Sequence, residues 1–99
     1  MDKTLVSLLM VTIIENWSKI TGIVRGESPH PKITGFIQLK VTLEKSQAVK
    51  EFPNLALSDS GKEILVNIPV EFPMKFKKGD KFQSTVRKVF GQEYFIKMK

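Results

Sequence analysis

Apolar and polar residues alternate with a period of two along much of this chain, and that period predicts strands rather than helices. Residues 33–44 (ITGFIQLKVTLE) are the clearest case. Ile33, Ile37, Leu39, Val41 and Leu43, with Gly35 among them, share one parity; Phe36, Gln38, Lys40, Thr42 and Glu44 share the other. Residues 63–70 repeat the pattern with Ile64, Val66, Ile68 and Val70 inward, and Pro69, which lacks a ladder donor, is expected to end regular pairing. Residues 81–90 put Phe82, Ser84 and Val86 on one face, after which the phase slips. A β-bulge at Arg87-Lys88 would restore it, turning Val89 inward and both cations outward. Residues 93–98 alternate Tyr94, Ile96 and Met98 against Phe95 and Lys97. At the start, Leu5 to Ile14 and residues 20–25 predict one long bent strand, or two strands joined at Glu15-Asn16-Trp17-Ser18.

The connections carry turn chemistry. Arg25 to Lys32 holds two prolines and a glycine and reads as a loop, and Lys77-Lys78-Gly79-Asp80 reads as a tight turn opening the fourth strand. Residues 45–62 are the longest connection. A short helical turn is expected over Lys45 to Phe52, before Pro53, and the remainder, ending Ser58-Asp59-Ser60-Gly61-Lys62, is expected to be mobile. Five strands without a long amphipathic helix make an all-β domain spanning 1–99, a small barrel or sandwich. The strand order and the Gly-Asp turn into the fourth strand resemble the OB-fold, a five-stranded barrel. Many OB-folds place a helix between strands three and four. Here Pro69 to Lys78 holds two prolines, so the helix is expected to be reduced or absent. An SH3-like barrel is the competing architecture.

Composition narrows the chemistry. At 99 residues, 41% hydrophobic and 26% charged, the chain has ordinary globular proportions. It has no cysteine, which excludes disulfides, thiolate metal sites and cysteine nucleophiles and fits a cytoplasmic setting. Leu5 to Ile14 is too short for a membrane-spanning helix, which needs roughly 20 residues, and no small-x-small cleavage site follows it. His30, the single histidine, has no companion ligand for a metal, and no phosphate-loop, dinucleotide or zinc-protease motif occurs. No cofactor, metal or enzymatic activity is expected.

Charge is unevenly placed. Residues 75–99 carry eight basic side chains against Asp80 and Glu93, which accounts for the whole net charge of +6, while residues 1–74 balance. Such a basic end predicts a polyanionic or acidic partner. The candidate nucleic-acid-binding residues are the cations Lys40, Lys77, Lys78, Lys81, Arg87, Lys88 and Lys97, with Phe36, Phe95 and Trp17 for base stacking. Each aromatic has a plainer alternative. Phe36 can pack under the 45–62 connection, Phe95 can be enclosed by the barrel, and Trp17 can plug a barrel end. The resemblance implies ligand contacts on the outer face of the second strand, where Phe36 stands. Two functions are in view: a binder of single-stranded DNA or RNA, alone or as an accessory subunit of a replication, repair or transcription complex, or a protein–protein adaptor docking on a larger enzyme. The adaptor reading draws on Leu5 to Ile14, with Leu65, Phe72, Phe76 and Phe95, as apolar surface beyond one core.

Overall fold

A computed structural model describes residues 15–97. The strand expected over Leu5–Ile14, together with Met98 and Lys99, lies outside the described residues. Five strands, β1 (Ser18–Pro29), β2 (Phe36–Ala48), β3 (Glu63–Pro69), β4 (Lys81–Phe90) and β5 (Glu93–Ile96), close into a barrel in the order β1-β2-β3-β5-β4. All neighbours are antiparallel except β3 and β5. This is the small OB-like barrel the strand order pointed to. The segment between β3 and β4 contains no helix, and a three-residue 3-10 turn at Leu57–Asp59 is the one helical element among the described residues.

The period-two sets fill the barrel. Leu39, Val41 and Leu43 of β2, Ile64, Val66 and Ile68 of β3, Phe82 and Val86 of β4, and Tyr94 and Ile96 of β5 are all buried, with Ile20 and Val24 from β1. Each large apolar side chain buried this way contributes about 1.5–3 kcal/mol of transfer free energy. Phe72 and Phe76, from the segment before β4, pack on this core, and the Phe76 ring lies 5.0 Å from that of Phe82. Both are half-buried by this packing, which reduces the apolar surface assigned to an adaptor.

Two bulges let β1 pair with both β2 and β4. Glu44 is the extra residue opposite Thr21/Gly22, and Arg25 is the extra residue between Val24 and Gly26. At the first, the backbones close up so far that a Cβ on Gly22 would stand 2.4 Å from the Thr42 carbonyl oxygen. The predicted turn at Lys77–Asp80 is present: Gly79 has φ +95°, its N–H donates to Val24 O at 2.7 Å, and Asp80 Oδ2 accepts from Lys77 N at 2.8 Å.

Several boundaries differ from expectation. β1 continues through Gly26 to Pro29, so the loop shrinks to residues 30–35, because ladder pairing with β2 outweighs the turn-forming composition. β2 starts at Phe36, leaving Ile33 and Gly35 in that loop, and runs to Ala48, replacing the helical turn predicted from Lys45. Val70 lies past the strand end and is exposed. The bulge in β4 falls at Val89, beyond Lys88. Lys88 therefore keeps the inward parity of Phe82 and Val86 and is not pushed out. Its ammonium lies 3.0 Å from Asp59 and 5.9 Å from the Tyr94 ring centroid.

Asp59 explains that inward lysine. It is 3% exposed, and the Tyr94 hydroxyl donates to its Oδ2 at 2.6 Å. The Ser58–Lys62 stretch is thus pinned to the barrel, not mobile. Desolvation works to raise the Asp59 pKa, but the hydrogen bonds from Tyr94 and Lys88 and the charges of Lys88 and Lys62 outweigh it, leaving the carboxyl below its ordinary value. Desolvation, then the Asp59 contact, raises Tyr94 well above the usual phenol range. Glu93 is also lowered, chiefly by the hydrogen bond from Asn67. A carboxyl depressed in the folded state stabilises fully above its unfolded pKa, and that stability is lost as pH falls through the folded value. With reference values of 3.8 and 4.5, the melting temperature should stay level from neutral pH to about 5 and then fall in acid. Asp59→Asn should flatten the acid limb in a pH series of thermal melts; an equally steep limb would contradict this origin.

Candidate nucleic-acid interface

Trp17 is placed by its neighbours. Asn16 acts as an added ladder residue: its Nδ2 donates to Lys88 O at 3.0 Å and its Oδ1 accepts from Lys88 N at 2.9 Å. Ser18 is buried and donates to Asn54 Oδ1 at 2.7 Å. With residues 16 and 18 both inward, alternation turns Trp17 outward. It is half-buried on the barrel wall, and the Lys97 ammonium lies 5.4 Å from its ring centroid. Trp17 is therefore not an end plug.

The register continues this row around the barrel. Arg87 faces Phe95, Phe95 faces Asn67, and Asn67 faces Gln38. Phe95 points outward while Tyr94 takes the core position. Phe36 meets Phe95 edge-to-face, with centroids 5.7 Å apart and planes at 75°, rather than packing under the 45–62 segment. Trp17, Phe36, Arg87, Phe95 and Lys97 line one open groove of about 440 Å³. Two buried side-chain polar atoms have no hydrogen-bond partner among the described residues, Arg87 Nε and Asn67 Oδ1, and the register sets them on either side of Phe95. An unpaired buried polar group costs about 1–3 kcal/mol.

The remaining predicted residues do not join this groove. Lys77, Lys78 and Lys81 stand at the opposite end of β4 from Arg87. Lys40 lines a separate recess with Glu63, Leu65, Phe90 and Glu93. Lys88 is held inside by Asp59. The single basic surface expected from the last quarter of the chain is thus divided.

Sequence reasoning missed Asn67, His30 and Glu93 as a unit. Glu93 Oε2 accepts from Asn67 Nδ2 at 2.6 Å and lies 3.2 Å from His30 Nε2. His30 Nδ1 accepts from the backbone N–H groups of Lys32 and Ile33, each at 2.9 Å, which puts the ring proton on Nε2. Both ring nitrogens are thus used to fix the 30–35 loop beside Phe36, where His30 N also donates to Phe36 O at 2.9 Å. The two prolines flanking His30 were legible, but its partner 63 residues away was not.

Among the described residues no cluster of three or more His, Cys, Asp or Glu side chains could hold a metal, and no helix is long and apolar enough to cross a membrane. Comparison with protein-family models, with curated proteins and with solved structures found no match to this chain.

Proposed function

We propose that this protein binds single-stranded DNA or RNA through the Trp17–Phe36–Phe95 groove, acting alone or as an accessory subunit of a replication, repair or transcription complex. One observation carries the reading: three aromatic side chains and two cations, drawn from distant parts of the chain, converge on one open outer face. Bases stack on aromatic faces with roughly 1–3 kcal/mol each, while Arg87 and Lys97 meet the phosphates between them. A duplex, its bases already stacked, cannot use such a groove.

Fluorescence anisotropy with single- and double-stranded DNA and RNA tests this. Single strands should bind more tightly than duplexes, and the affinity should fall with salt. Phe95→Ala should weaken binding by about thirtyfold, the middle of the range for one stacked base. Failure to bind any oligonucleotide at low salt would sink the proposal.

A second reading, an adaptor docking on a larger enzyme, is favoured by Phe90. It is 81% exposed at the β4–β5 turn, beside the half-buried Leu65. A stoichiometric protein partner that survives nuclease treatment and is lost in Phe90→Ser would support it.

A further inference from the structure

We infer that the outer face of β1, β2 and β4 carries a phosphate-binding track that continues the aromatic groove. This rests on the single-strand reading above and states where the rest of a bound strand runs. The register sets Lys19 opposite both Gln47 of β2 and Thr85 of β4, and Thr21 opposite both Lys45 and Gln83. Their alternates Ile20, Phe82 and Val86 fill the core, so these six residues stand on the outside. Lys19, Thr21, Lys45, Gln47 and Gln83 line a common recess.

The Glu44 bulge creates this face. Residues 39, 41 and 43 point inward, and an unbroken strand would send Lys45 and Gln47 inward too. One inserted residue reverses the parity, and both emerge beside Lys19.

The recess adjoins the groove. Lys19 is two residues from Trp17 and Thr85 is two from Arg87, each pair on one face of its strand; Lys97 N also donates to Thr85 O at 2.8 Å. Along β4 the outward row runs Arg87, Thr85, Gln83, Lys81, a span of about 20 Å at ~3.3 Å per residue. Lys19, Lys45 and Lys81 make no ion pair among the described residues. The carboxylates nearest in sequence are Glu15, which accepts from Trp17 Nε1 at 3.3 Å, Glu44, exposed in the bulge, and Asp80, which accepts from Lys77 N.

The chemistry differs from that of the groove. The track offers spaced ammonium groups and neutral amide and hydroxyl donors but no aromatic ring, so it suits the sugar–phosphate backbone and not the bases. A strand stacked in the groove would leave past Trp17 and Arg87 and lay its phosphates over Lys19 and Lys45 toward Lys81. An acidic peptide could follow the cations but would leave the aromatic groove unused.

Binding of oligothymidylates of about 4 and about 12 nucleotides, within the site sizes of one such barrel, tests the track when wild type is compared with Lys19→Gln/Lys45→Gln. For the longer strand the double variant should bind about tenfold more weakly. Its log–log salt slope should be shallower by about 1.4, the loss of two phosphate contacts at ~0.7 each. The short strand should bind wild type and variant equally, while Phe95→Ala should weaken both lengths. Unchanged binding of the longer strand, or an equal loss at both lengths, would overturn the track while the Phe95→Ala result leaves the groove standing. Polyglutamate competing as well as the longer strand at equal charge would assign the face to an acidic protein and also overturn it. If wild type binds neither strand, the groove fails and the track with it.

Discussion

Asp59→Ala is expected to destabilise the fold by about 3 kcal/mol, at the lower end of the cost of breaking a buried ion pair. The loss has two parts. The Tyr94 hydroxyl, in a fully buried residue, loses an acceptor 2.6 Å away. The Lys88 ammonium, on a side chain 21% exposed, loses its counter-charge and must find a route to solvent. Partial exposure of Lys88 is why the lower end applies. In a domain of this size the melting temperature should drop by roughly 15 °C. Tyr94→Phe removes the same hydrogen bond from the other side, so the double variant should cost less than the sum of the singles. Additive losses in thermal or urea unfolding would show that Asp59 and Tyr94 do not act as a unit.

Gly22→Ala should cost a similar amount, about 3 kcal/mol, for a different reason. The added methyl meets the Thr42 carbonyl oxygen at 2.4 Å and Val41 Cγ1 at 2.7 Å. The first is backbone locked in the β1–β2 ladder, so relief requires the two strands to part at the bulge. Gly26 provides the control. It lies in the same strand, and a Cβ there meets nothing within 4 Å, so Gly26→Ala should be neutral or slightly stabilising through the unfolded state. Equal effects at the two positions in urea unfolding would rule out the close approach as the cause. Because the Gly22 bulge also turns Lys45 and Gln47 outward, loss of stability there should come with loss of the track.

What could be read from the sequence was what depends on neighbours two residues apart. Leu39, Val41 and Leu43, or Ile64, Val66 and Ile68, declare their face by alternation, and Gly79-Asp80 declares its turn. The succession of strands along the chain followed from these, and the missing helix before β4 followed from the two prolines within Pro69 to Lys78. What escaped depends on partners far along the chain. Lys88 reads as a surface cation until Asp59, on another segment, is seen to receive it. Lys19 and Lys45 sit in a charge-neutral part of the sequence and become a basic face only through the register of β1 on β2. The bulge at Glu44 leaves no compositional trace, since Glu44 and Lys45 look like the polar end of a strand. Trp17, Phe36 and Phe95 were each visible as candidates, but their convergence requires the barrel to close.

The buried carboxylate has one more consequence, concerning how β4 is addressed within the sheet. Arg87 and Lys88 are adjacent cations near the end of a strand, just before the bulge at Val89. Sliding β4 by one residue would exchange them, sending Arg87 into the barrel and Lys88 into the groove. Asp59 discriminates between the two alignments, because it waits at the depth and reach of a lysine on the inward parity and is already committed to Tyr94. A residue outside the groove thereby joins the buried Phe82 and Val86 in setting which of two neighbouring cations lines it.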